Sequence, residues 1–399
     1  MNHRVVITGI GVLAANGNGV DAYWDTLLKG ESGIGTISLF DAEGLPCQIA
    51  GEVKGFDATE HIDAGLRPKR MGRFTQLAVA TAEQAIADAG LTSEDLRRQG
   101  EVPVILGVSS TSLDLLEKKP DVSTAVSASP NAAASAVGYL HDVSTKLMTV
   151  ANACGSGLDA IAMGAAMIRN GQADLVITGA SDSTMTRYFF ESMLKVRRCS
   201  TSTDGPEVSS RPFDRNRDRG VLAEGAGIVI LENLAHAQAR GIEPYATVRS
   251  YASAADPYGG GEGEGMATAM RSAVANAALD PGHIDYISAH GPSDVEMDII
   301  ETRMIKEVFG PRAYEVPISS IKGVTGCSLG AGSATQVIST ALSLKHRVLP
   351  PTANLAAPDP ECDLDYIPGG PRMAEGRFAM VNTHGFGQGN SCMILEHYT

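Results

Sequence analysis

The sequence is short of aromatic residues, which make up 5% of it with a single tryptophan, and short of positive charge, with 32 Lys and Arg against 46 Asp and Glu. A formal net charge of −14 argues against nucleic acid as the main partner, because binding a phosphate backbone needs a basic footprint. Two local clusters run against that balance, Arg67, Lys69, Arg70 and Arg73, and Lys195, Arg197 and Arg198. The six cysteines (Cys47, Cys154, Cys199, Cys327, Cys362, Cys392) include no C-x-x-C pair and no zinc spacing. They are read as reduced thiols of a cytoplasmic protein, not as a disulfide framework or metal site. No window approaches the ~20 apolar residues of a membrane span. The N-terminus has no basic region followed by an apolar stretch, so no signal peptide is expected.

What is plentiful is glycine, 44 residues in a chain of 399. Such a length exceeds one small core and points to two domains or one large layered α/β unit. Short apolar runs alternate with longer amphipathic segments. Strands are expected at 4–9, 102–107, 146–150, 175–179, 227–232, 284–289, 378–382 and 391–396. Helices are expected at 21–29, 74–90, 155–170, 265–278, 294–309 and 330–345. Leu158, Ile161, Ala165 and Ile168 recur at helical steps, as a buried stripe does. Alternation of this kind calls for helices packed on sheets. The glycine-rich stretch 259–265 reads as a surface loop, without the strand–turn–helix context of a phosphate site. No exact internal repeat is visible.

The most informative stretch is 147–161, LMTVANACGSGLDAI. A β-rich run ends at Cys154, and a Gly-Ser-Gly turn leads straight into an apolar helix. A thiol at that corner gains thiolate character from the helix N-terminus, and the glycines let substrate and backbone N–H groups come close.

The segment resembles the active-site signature of β-ketoacyl-[acyl-carrier-protein] synthases of the type I/II ketosynthase class, within the thiolase superfamily. Five further stretches, in order, carry the same resemblance: VVITGIGVLAANGNG (5–19), SRPFDRNRDRGVLAEGAG (210–227), AHGPSDVEMDIIE (289–301), SSIKGVTGCSLGAG (319–332) and NTHGFGQGN (382–390). The resemblance implies an α/β thiolase fold of two similar βαβαβαββ halves in αβαβα layers, divided here as 1–235 and 236–399. The first half would carry the nucleophile and the second the histidine motifs. It implies acyl transfer to Cys154, then decarboxylative Claisen condensation with a malonyl-thioester, in fatty-acid or polyketide-like biosynthesis. Oxyanion donors would be the N–H groups of Cys154 and Phe386, with Phe386 also the gate between Gly385 and Gly387. His290 would donate to the malonyl carbonyl, and Asp298 and Glu301 stand at the spacing the family expects. No metal or organic cofactor is implied.

The sequence also departs from the family. Cys327 stands where a second histidine is expected, in KGVTGC (322–327), and Gln336 stands where a glutamate partners the lysine seen here as Lys322. Pro292 and Asp294 replace two threonines of the pantetheine contact, His384 a phenylalanine before the gate, and Gln388 a glycine after it. The stretch 109–140, which lines the acyl tunnel and dimer interface in the family, is shorter. The changes cluster on the extender side, so a retuned enzyme is expected, in which His384 supplies the missing imidazole. One alternative is an acyltransferase or non-decarboxylating condensing enzyme using Cys154 alone. Another is a non-catalytic partner resembling a chain-length factor, against which Cys154 argues. The expected partners are an acyl carrier protein, docked on Arg67, Lys69 and Arg70, and a second copy or related subunit joined through strand 146–151.

Overall fold

The computed structural model describes residues 3–118, 122–143, 146–257 and 263–399. Strand β1 (Val5–Ala14) is buried along its whole length. With β2 (Val104–Gly107), β3 (Leu147–Val150), β4 (Leu175–Asp182) and β5 (Gly225–Asn233) it forms a half-sheet in the order β3–β2–β4–β5–β1. The later strands β6 (Ala246–Ala255), β7 (Tyr286–Ser288), β8 (Ile318–Ser319), β9 (Phe378–His384) and β10 (Gly389–His397) form another in the order β8–β7–β9–β10–β6. Both halves have the same topology: the first three strands of each order are parallel, and the remaining two pairings are antiparallel. The half-sheets meet where Val6 and Ile7 pair with Thr247 and Ala246. The chain thus uses one topology twice without a visible sequence repeat.

Between the half-sheets lie α3 (Ser156–Arg169) and α6 (Leu329–His346). In α6 every residue from Leu329 to Leu344 is buried, which is why its apolar pattern shows no single face. The two helices touch closely: a Cβ on Gly157 would lie 2.5 Å from the Gly330 carbonyl oxygen. The stripe foreseen on α3 is present, with Leu158, Ile161, Ala165 and Ile168 fully buried. Burying each Leu or Ile of such a stripe contributes about 1.5–3 kcal/mol. The outer layers are α1 (Arg73–Asp88) and α2 (Ala132–Leu140) on the first half-sheet, and α4 (Glu264–Asn276) and α5 (Val295–Phe309) on the second. The result is the αβαβα layering of the thiolase fold.

The expected strands and helices are all present, with shifted ends. Strand β6 was not foreseen, because its sequence, ATVRSYASAA, carries mostly Ala and Ser and little hydropathy contrast. Residues 259–262 of the glycine-rich stretch lie outside the described residues. One correction concerns charge. Arg73 does not belong to an exposed basic patch: its guanidinium pairs with buried Glu224 at 2.7 Å and donates to the Val53 carbonyl at 3.1 Å. Arg67, Lys69 and Arg70 are exposed.

Candidate active site

Strand β3 ends two residues before Asn152, and the chain turns through Ala153 and Cys154 into α3. Ala153 has φ of 44°, in the left-handed region, where a side chain costs about 1–2 kcal/mol. Its carbonyl accepts from the Ser109 hydroxyl at 2.6 Å and from Ser156 at 2.7 Å. The same Ser109 oxygen accepts from the Gly330 N–H at 2.8 Å, tying the turn to the start of α6. Asn152 donates through Nδ2 to Asp159 at 2.7 Å, and Asp159 also accepts from Tyr251 and Ser391. Strain at one residue is thus held by many bonds, as at sites where geometry matters. Cys154, 5% exposed, sits on the floor of a cavity of about 210 Å³.

The facing wall comes from the second half. His290 follows β7, and its N–H and that of Gly291 donate to Glu301 at 2.8 Å each. Its Nδ1 is buried without a hydrogen-bond partner among the described residues. Burial, then the charges of Lys322 and His384, hold its ring well below the ordinary histidine value, so it is neutral. Asp298 accepts from the Phe213 N–H at 2.8 Å and pairs with Arg217 at 3.1 Å, and burial raises its carboxyl to about 7. Of the two carboxyls, Glu301 holds the backbone of His290 and Gly291, and Asp298 is held by Phe213 and Arg217.

Lys322 is buried behind the cavity. Its Nζ donates to the His290 carbonyl and, at 3.1 Å, to Gln336 Oε1. Gln336 Nε2 donates to the Ala289 carbonyl at 2.8 Å, which fixes its amide orientation. Cys327 is half-buried and lines the same cavity as Cys154. Interaction with the Cys154 thiol, opposed by burial and helped by Lys322, lowers the Cys327 thiol from 9.0 to about 6. The same interaction and burial raise that of Cys154 well above 9.0. Of the two thiols, Cys327 is the one that ionises more readily.

His384 ends β9, with its ring 6.1 Å from that of His290, edge to face. Its Nδ1 lies 2.8 Å from Asn390 Oδ1. Asn390 Nδ2 donates to Asp256 and to the Gln388 carbonyl, both at 3.1 Å, so the oxygen is turned to His384 and Nδ1 carries the proton. In the neutral ring this tautomer leaves the lone pair at Nε2. The following loop lies on the nucleophile turn, since a Cβ on Gly385 would sit 3.0 Å from the Asn152 oxygen and 3.4 Å from the Cys154 nitrogen. Phe386 is 50% exposed at the mouth.

Cys154, His290, Pro292, Asp294, Cys327, His384, Gly385, Phe386, Gly387 and Gln388 all line this one cavity. Asp294 caps α5 through bonds of 3.1 Å from Glu296 and Met297, and its other oxygen faces Arg198 at 3.5 Å and Arg219 at 3.7 Å. Arg198, of the second basic cluster, lines the cavity too. Arg67 and Arg70 lie away from it, beside a separate groove with Val126.

Sequence reasoning passed over Ser109, Asn152, Asp159 and Asp182. Asp182 accepts from the N–H groups of Ser109 at 2.9 Å and Ser110 at 3.3 Å, and burial raises its carboxyl to about 7. Ser109 and Asp182 lie at the carboxyl ends of parallel strands, the position where α/β sheets place their sites, and that signal could have found them. Among the described residues no group of three or more His, Cys, Asp or Glu is arranged to hold a metal, and no helix is long and apolar enough to cross a membrane.

Comparison with known proteins agrees with this geometry. Residues 2–237 match the β-ketoacyl synthase N-terminal domain and residues 245–356 the C-terminal domain. The chain is 35% identical to 3-oxoacyl-[acyl-carrier-protein] synthase 2 of Synechocystis sp., covering 99% of this chain and 98% of that protein. It is 37% identical to the tetracenomycin polyketide synthase ketoacyl synthase alpha subunit of Streptomyces glaucescens, covering 98% and 96%. Among solved structures, a type II polyketide ketosynthase in complex with its acyl carrier protein and a hexaketide superposes with a TM-score of 0.91 at 29% identity. The ishigamide ketosynthase/chain length factor superposes with a TM-score of 0.90 at 31% identity. Both cover 100% of either chain. The chain belongs to the β-ketoacyl synthase family, and it is an acyltransferase of the condensing type.

Proposed function

We propose that Cys154 takes an acyl chain from a carrier-bound thioester and that the acyl-enzyme is then attacked by the enolate of a decarboxylated malonyl-thioester. The observation that carries this reading is the position of Cys154, at the N-terminus of a buried helix and in one cavity with His290 and the Phe386 loop. Cys327 takes the Cys154 proton as the sulfur attacks, and Lys322 offsets the charge left on the pair. The N–H groups of Cys154 and Phe386 hold the oxyanion of each step. His290, neutral, donates to the malonyl carbonyl. His384 acts first as an acceptor and becomes a donor once it holds a proton. Pro292, Asp294, Gly385, Gly387 and Gln388 shape the pantetheine and acyl passage. Asp298, Glu301 and Gln336 position His290 and Lys322.

In this reading the chain comprises halves 1–235 and 236–399. It works in the cytoplasm as a homodimer or heterodimer across strand β3, with an acyl carrier protein drawn to Arg67, Lys69 and Arg70. A second reading, acyl transfer without decarboxylation, is favoured by one feature, the thiol at 327. Incubation with an acylated carrier protein and intact-mass measurement tests the first step. One acyl adduct on wild type, absent from Cys154→Ala, supports it; no adduct on wild type contradicts it. For His384, a pH–rate profile unchanged in His384→Phe would count against its role.

A further inference from the structure

We propose that Cys154 and Cys327 form a reversible intramolecular disulfide when the enzyme meets a hydroperoxide. The inference rests on the reading of Cys154 as the nucleophile.

The two thiols act on each other directly and open into the same cavity. Their backbones are held in place. Cys327 donates through its N–H to the Val221 carbonyl at 2.7 Å, and its own carbonyl accepts from Ala223 at 2.9 Å. Ser109 ties the residue before Cys154 to Gly330.

The pair also includes a thiol that opens into the cavity and ionises readily. A thiolate is the species that peroxide attacks, and the Cys327 thiol lowered to about 6 supplies one at neutral pH. The buried Cys362, by contrast, is raised to about 11. Cys47 and Cys199 are a second close pair, at 3.1 Å, but both are buried and neither lines the cavity.

The chemistry balances. One thiolate sulfur attacks a peroxide oxygen, the O–O bond breaks, and the products are a sulfenic acid and hydroxide. The other sulfur then attacks the sulfenic sulfur, the S–S bond forms, and water leaves once the hydroxyl takes up a proton. In sum, two thiols and one hydrogen peroxide give one disulfide and two waters. A dithiol such as dithiothreitol, or two molecules of glutathione, reverses it by exchange. With histidine at position 327 the sulfenic acid would have no neighbouring sulfur and would go on to sulfinic acid.

The test treats the reduced full-length protein with hydrogen peroxide at neutral pH, followed by intact-mass measurement and non-reducing peptide mapping. The expected result is a mass lower by two hydrogens, a peptide cross-link between Cys154 and Cys327, and loss of iodoacetamide labelling at Cys154. Labelling and acyl transfer return together on adding dithiothreitol. Prior acylation of Cys154 prevents the cross-link. In Cys327→His, or Cys327→Ser should the former fold poorly, Cys154 gains oxygen and is not restored. Sulfinic acid at Cys154 in wild type, or a cross-link only between Cys47 and Cys199, overturns the proposal. Acyl transfer by the untreated sample is read separately, so failure of the nucleophile reading is distinguishable from failure of the disulfide.

Discussion

Lys322 Nζ donates to Gln336 Oε1 at 3.1 Å, a neutral partner, and the nearby thiols of Cys327 and Cys154 are the groups that most favour its charged form. Gln336 stands where the family pattern has a glutamate, and the Cys327 thiol is lowered in turn. On our proposal the two substitutions, Cys at 327 and Gln at 336, compensate in charge.

A direct consequence concerns Gln336→Glu. A carboxylate beside Lys322 competes for its charge and repels the thiolate, so the pair loses its proton at higher pH. A thiolate is the labelled species, so the rate of iodoacetamide labelling at Cys327 in wild type should rise through about pH 6. In the variant the rise should move upward by about one unit or more, as a buried charge a few ångströms away does. An unmoved profile would show that Lys322 does not set the thiol ionisation.

Ser109 joins the strained turn at Ala153 to Gly330 through one hydroxyl. Ser109→Ala removes both bonds. Thermal or denaturant unfolding should show a loss of about 1 kcal/mol per bond. Acylation of Cys154, measured separately by intact mass, should slow by about tenfold or more as the turn relaxes. Unchanged acylation alongside lost stability would make Ser109 structural only.

Asp182 carries a pH dependence of known sign. Burial raises its carboxyl from 3.8 to about 7, so between those values the folded protein holds a proton that the unfolded chain has released. Stability from this group therefore falls as pH rises across that window. Urea unfolding should show a shallower fall in Asp182→Asn than in wild type over the same range. Equal slopes would mean that Asp182 is ionised throughout.

Arg67 and Arg70 lie beside a groove apart from the cavity, and Lys69 between them is exposed too. Replacing all three by Ala should raise KM for an acylated carrier protein by about tenfold, with less salt dependence and little change in kcat, as expected of steering charges. An unchanged KM would shift attention to Arg198 at the cavity mouth.

The sequence made the nucleophile corner legible because strand, turn and helix signals are local and coincide at Cys154. His290, Lys322 and the Phe386 loop were legible as motifs. What stayed hidden was pairwise. Nothing in the order of residues says that the sulfur of Cys327 meets that of Cys154, 173 positions earlier in the numbering. The tautomer of His384 depends on Asn390, whose orientation depends in turn on Asp256. Arg73 looked like surface charge because its partner, Glu224, is remote in sequence. Strand β6 was missed because small residues pack well there yet carry little hydropathy.

The central claim, a condensing enzyme that works with a thiol pair, is tested most directly by incubating acylated carrier protein and malonyl-carrier protein with wild type, Cys154→Ala and Cys327→His, and following products by intact-protein mass spectrometry. The account predicts an acyl-enzyme and a ketoacyl-carrier product with wild type and neither with Cys154→Ala. If wild type acylates but leaves malonyl-carrier untouched until Cys327→His restores decarboxylation, the account is contradicted, and the natural reaction is acyl transfer without decarboxylative extension.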